Sequence, residues 1–208
     1  RKYLNSIGLV KEQTADYKGA LDIYLQCLKL SKNINEKRSI AVSYNNIGCI
    51  YESLNELKLA NKNFKKALTY SKRINYKEGI AAYQFNMALI YGKLKEYEKA
   101  FKLINASIKD HKELDSNHPI IVSCNIYITF LYFLKKDKEQ VKNNFEKVKD
   151  IKSDADIGHN RHFELYQIYQ FLGLDGSPFL KQAYLFLKND INCIPSIRDK
   201  KNFTRNIG

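Results

Sequence analysis

The sequence predicts an all-α fold: a solenoid of antiparallel helix hairpins, about five of them, followed by a C-terminal helix. Three observations predict it. Punctuation is sparse, with 9 Gly and 3 Pro in 208 residues, which favours long helices joined by short turns. Apolar residues recur at three- and four-residue spacings, one face of a helix. The chain also matches itself at a shift of 40 residues over three consecutive units, as repeat architectures do.

The shift lays Gly8 on Gly48 and Ala88, Ile7 on Ile47 and Met87, and Ala20 on Ala60 and Ala100. It lays Tyr24 on Phe64 and Ile104, and Cys27 on Ala67 and Ser107. The first three units run over about residues 1–36, 37–76 and 77–116. In the second, Tyr44, Ile47, Tyr51 and Leu54 form one helical stripe. A polar joint around Asn55 and Glu56 follows, then a second stripe of Leu57, Ala60, Phe64, Ala67 and Leu68. Polar tracts from Lys32 to Ser39 and from Arg73 to Gly79 lie between units. Glycine inside a helix costs about 0.5–1 kcal/mol relative to alanine. Gly48 is expected to offset that cost by facing Ala60 where the two helices of a hairpin cross, with Tyr51 and Phe64 on the flanks. Unit one starts late, because its first helix lacks the turn that Ser39 to Val42 supplies to unit two.

Past about residue 115 the register drifts. A fourth hairpin is expected over 117–153, with Thr129 in the small position and Ile128, Tyr132, Val141, Phe145 and Val148 in the large ones. A fifth is expected over 154–190, with a longer joint at Gly173 to Pro178. Residues 1–190 then make the solenoid, and 191–208 a capping helix or a linker to a further domain.

The pattern Tyr44-x2-Ile47-Gly48-x2-Tyr51, then Ala60-x3-Phe64-x2-Ala67, resembles the tetratricopeptide repeat (TPR) family. The resemblance implies a right-handed superhelix whose first helices line an inner groove and whose second helices form the outer wall. Two departures stand out. The first large position holds Leu4, Tyr44 and Gln84 in turn, and the period is 40 rather than about 34 residues. The extra length is expected in the helices. The long period is similar to that of TPR arrays in bacterial signalling proteins and some scaffolds.

Chemistry is not prominent. There is no phosphate-binding glycine loop, nucleophile elbow or paired-histidine zinc motif. Cys27, Cys49, Cys124 and Cys193 are widely spaced and read as thiols of a cytoplasmic protein. His111 and His118 flank a loop; His159 and His162 lie three apart, near Asp154 and Asp156, without a clear third ligand. Glu96 and Glu98 suit surface pairing with Lys95 and Lys99. No run of apolar residues is long enough to span a membrane. No catalysis, metal or cofactor is expected.

The net charge of +13 raises nucleic acid as a partner. Lys58, Lys62, Lys65, Lys66, Lys99, Lys102, Lys109, Lys142 and Lys147 fall mostly on second helices, however, spread along the expected outer wall. That distribution favours a solvated face over a nucleic-acid cleft. The inner groove is expected to be the functional one. Asn5 and Asn45 share a column, Asn46 and Asn86 share the next, and Asn125 lies near the corresponding place in unit four. Such amides can pair with the backbone of an extended peptide. Leu9, Cys49, Phe85 and Leu89 are expected to add apolar surface, and Glu12 and Glu52 negative charge. The resulting expectation is a protein- or peptide-binding module in a larger bacterial regulator. Structural self-assembly and nucleic-acid binding stand as alternatives.

Overall fold

The computed structural model describes residues 2–115, 118–152, 155 and 157–192. Among these there are ten helices and no strand, the all-α fold of TPR-like hairpins that the pattern requires. They fall into two compact units, one through Asp110 and one from His111 to Asn189.

The first unit holds α1 (Lys2–Gln13), α2 (Tyr17–Asn33), α3 (Lys37–Ser53), α4 (Leu57–Arg73), α5 (Lys77–Lys93) and most of α6 (Tyr97–Leu114). Helices α2 to α5 have 17 residues each, and each joint in this unit has three. The polar tracts around residues 32–39 and 73–79 are therefore mostly helix ends, with Ile34–Glu36 and Ile74–Tyr76 alone outside helices.

Reversing a chain in three residues sets a strict backbone requirement. The middle residue of each joint takes positive φ: Ala15 (58°), Asn35 (49°), Asn55 (59°), Asn75 (50°) and Lys95 (60°). The next amide then reaches back five residues. Glu36 N–H donates to Ser31 C=O at 2.9 Å, Glu56 to Tyr51 at 2.8 Å and Glu96 to Tyr91 at 2.8 Å. This is the Schellman arrangement, which satisfies the last carbonyls of a helix. The residue that closes it also starts the next helix. The Asp16 carboxylate accepts from Gly19 N–H, and that of Glu36 from Ser39 N–H. One short segment so ends one helix and caps another.

The core of this unit draws on the expected stripes and extends beyond them: Leu54 is exposed, whereas Ile40, Ala41 and Ile50 are buried. Ala20, Tyr24, Ile40, Ala41, Tyr44, Ile47, Ile50, Ala67 and Tyr83 are buried together. The atoms nearest Gly48 belong to Phe64, a side chain expected on its flank. A Cβ on Gly48 would lie 2.6 Å from Cε1 of Phe64, and one on Gly8 would lie 2.5 Å from Cε1 of Tyr24. The aromatic ring thus sits directly on the glycine, using the volume that a methyl would take. In the third unit the pair is Ala88 and Ile104, both fully buried. Where the glycine gains a methyl, the ring opposite becomes a smaller aliphatic side chain.

The second unit holds α7 (Ile120–Leu134), α8 (Lys138–Phe145), α9 (Gly158–Leu172) and most of α10 (Ser177–Asn192). Thr129 takes the small position and is fully buried. Helix α8 is only 8 residues long. Val148 joins the core through a tighter turn, with its N–H on Phe145 C=O at 2.9 Å. Ile126, Val148, Leu165 and Phe179 pack at the centre. Gly173 ends α9 at φ 77°, and the joint to α10 is Gly173–Gly176. The terminal helix expected over 191–208 lies, beyond Asn192, outside the described residues, as does Cys193.

Two outcomes follow from this packing. Gly48→Ala is expected to destabilise the fold by about 1–3 kcal/mol through overpacking against Phe64. Adding Phe64→Ile should return most of that loss, and chemical denaturation of the three variants checks it. A left-handed conformation costs a non-glycine residue about 1–2 kcal/mol. Lys95→Gly is accordingly expected to raise stability by about 0.5–1 kcal/mol, read from the same melts.

Candidate functional site

The predicted groove residues of the first unit lie on α1 (Asn5, Leu9, Glu12), α3 (Asn45, Asn46, Cys49, Glu52) and α5 (Phe85, Asn86, Leu89). Equal helices and equal joints bring these three first helices side by side in one register. Asn46 Nδ2 donates to Asn5 Oδ1 at 2.9 Å, and Asn86 Nδ2 donates to Asn45 Oδ1 at 2.9 Å. Asn45 Nδ2 donates to Asn46 Oδ1 at 3.4 Å. The four amides therefore form one continuous chain from α5 across α3 to α1. A longer, weaker contact joins Asn45 Nδ2 to Cys49 Sγ at 3.9 Å.

The two asparagine columns were read separately from the sequence, whereas the structure ties them to each other. Each inter-helix rung spans 41 residues, and Lys93 Nζ meets Glu52 Oε1 at 2.9 Å on the same spacing. A repeat alignment, which matches residues 40 apart, does not display that one-residue offset. All four asparagines are half-buried. An amide carries two donor hydrogens and two acceptor lone pairs, so each rung leaves hydrogen-bonding capacity for an incoming chain. Phe85 occupies the column where Asn5 and Asn45 accept, and it is buried at 7% exposure. It ends the amide chain at α5 and offers the face little surface, in contrast to its expected role. Leu9 is exposed, whereas Cys49 and Leu89 are half-buried. Asn125 is half-buried on α7 of the second unit, where its carbonyl accepts from Thr129 Oγ1 at 2.9 Å.

Glu12 lies at the end of α1 and receives a hydrogen bond from the Tyr24 hydroxyl at 3.1 Å. The sequence reading missed this reach from the second helix. Burial raises the Glu12 pKa above its ordinary 4.5, and the charge on Glu52 raises it further, against the lowering effect of Tyr24. Burial together with both carboxylates holds the Cys49 thiol protonated. A cavity of about 350 Å³ adjoins the first amides, lined by Asn5, Ser6, Cys27, Arg38, Ser39, Val42 and Ser43.

The remaining candidates lie outside these three helices. His162 is fully buried, with Nε2 3.0 Å from Ala155 C=O. The His159 side chain, Asp154 and Asp156 lie outside the described residues. His111 and His118 stand with ring centroids 4.7 Å apart. Among the described residues no group of three or more His, Cys, Asp or Glu could hold a metal ion. Lys99 pairs with Glu96 at the surface. The nine lysines singled out on the second helices are all exposed. Among the described residues, no helix is long and apolar enough to cross a membrane.

The pH dependence of Glu12 follows in sign. A carboxyl whose folded pKa is raised destabilises the fold once it must ionise, so its contribution falls as pH rises above about 4.5. Glu12→Gln is expected to melt higher than the parent near neutral pH. The difference should vanish once both forms are uncharged in acid, as thermal melts across pH will show.

Comparison with known proteins agrees with this architecture. Models of the tetratricopeptide repeat match residues 1–73 and 81–109. No curated protein matches the chain. Among solved structures, BtubC (BKLC) from P. vanneervenii superposes with a TM-score of 0.69 at 15% identity, covering 99% of this chain and 80% of its own. RapI in its apo form gives 0.76 at 18% identity over 91% and 69%. MamA gives 0.55 at 15% identity over 92% and 93%. At such identities the likeness is one of fold. Residues 1–73 and 81–109 of the chain are thus tetratricopeptide repeats.

Proposed function

We propose that the chain is a protein-interaction module that holds an extended segment of a partner protein against α1, α3 and α5. It binds without catalysis, as the docking or sensory region of a larger cytoplasmic bacterial regulator. The carrying observation is the amide chain Asn86–Asn45–Asn46–Asn5. Its members are oriented by one another before any ligand arrives, which lowers the ordering cost of binding. Their remaining donors and acceptors match a peptide backbone, whatever its side chains. The tetratricopeptide repeats support a partner of protein nature. The lysines singled out on α4 and α6 are exposed and fall on second helices, which favours a solvated face over a nucleic-acid cleft.

A second reading has its own observation. Tyr3, Ile7 and Val10 on α1 are 86%, 46% and 58% exposed, whereas Ile47 and Ile50, forty residues on, are 2% and 0% exposed. Self-association through this face of α1 is the rival that these residues favour.

The test uses peptides selected by the intact chain from a random peptide library. Asn45→Ala with Asn86→Ala is expected to weaken their binding roughly tenfold or more, with helicity by circular dichroism retained. Unchanged affinity in the double variant would sink the docking reading. Concentration-dependent light scattering that Val10→Glu abolishes would support the rival.

A further inference from the structure

We propose that the C-terminal end of α1 carries a subsite for one basic side chain, so that the docked segment presents a lysine or arginine to Glu12. The inference rests on the docking reading above and names the chemistry of its partner.

Pairs 41 residues apart tie the first helices together. Asn5 with Asn46, Asn45 with Asn86, and Glu52 with Lys93 each join neighbouring first helices. The fourth place of this kind is Glu12 with Ser53. Here the position that carries an ammonium in the next unit carries a small hydroxyl, and Ser53 hydrogen-bonds Tyr17. Glu12 Oε2 takes the Tyr24 hydroxyl, which leaves Oε1 for an incoming donor. The Lys93 ammonium on Glu52 shows which group completes such a place.

Local charge points the same way. Glu12, Glu52 and Lys93 sum to one negative charge in a chain of net +13. The overall field repels a polybasic segment, while this end attracts a single cation. The match is therefore to one basic residue flanked by neutral ones. Leu9 is 45% exposed and lies one turn before Glu12, giving the methylene stem of a lysine or arginine an apolar surface to cover. Burial makes an unpaired charge on Glu12 costly, and an incoming cation relieves that cost.

The experiment takes library peptides retained by the intact chain and compares each with a version whose lysine is acetylated or whose arginine is replaced by citrulline. Neutralisation is expected to weaken binding roughly five- to tenfold on the parent. On Glu12→Gln the two versions should bind alike, because Gln keeps the shape and still accepts from Tyr24. Circular dichroism confirms that the variant is folded. If neutralised peptides bind the parent as well as charged ones, or Glu12→Gln keeps the preference, the subsite is wrong while the docking reading stands. If the parent retains no peptide, or the asparagine double variant binds unchanged, the docking reading fails and the subsite falls with it.

Discussion

A helix that must reverse within three residues has few ways to do so, and the first unit uses one of them five times. The left-handed residue at the centre of each joint turns the last carbonyls of one helix onto the first amides of the next. Because Ala15, Asn35, Asn55, Asn75 and Lys95 all adopt it, every helix begins at the same phase relative to its predecessor. Equal phase gives equal depth of contact, so Tyr24 falls on Gly8 as Phe64 falls on Gly48. It also places α1, α3 and α5 in one register, and that register sets the rungs between them. The candidate site follows from the turn.

Much of this was legible beforehand. Small and large positions recurring at one spacing identified the hairpins, and Tyr44, Ile47, Ala60, Phe64 and Ala67 of the two apolar stripes are buried, as are Ile40, Ala41 and Ile50 outside them. Asparagine at three joint centres is a direct signal for positive φ. Lysine and alanine at the others are not, since tertiary packing forces them there against their preference. The Phe64 ring, expected beside Gly48, sits directly on it. Sequence columns report which residues share a face, but not how far a phenylalanine ring reaches along it.

The candidate site was legible in its membership and not in its wiring. Asn5, Asn45, Asn46 and Asn86 stood out as polar residues in repeating columns. Their pairing depends on a one-residue offset between neighbouring helices, which a repeat alignment hides by construction. The same offset joins Lys93 to Glu52. Tyr24 shows the opposite limit. Its ring was assigned to packing correctly, yet its hydroxyl extends beyond the core to Glu12. Amphipathic side chains of this kind belong to two environments at once.

The amide chain also has a direction. Asn86 donates to Asn45, Asn45 to Asn46 and Asn46 to Asn5, so its dipoles run head to tail and reinforce one another. One end finishes on an acceptor oxygen and the other on donor hydrogens. Turning the sense of the row over would require all four side chains to rotate together. A backbone laid along it with amino end leading would thus not be equivalent to the same backbone reversed, so on the docking reading proposed above the row would sort the two directions without any charged residue.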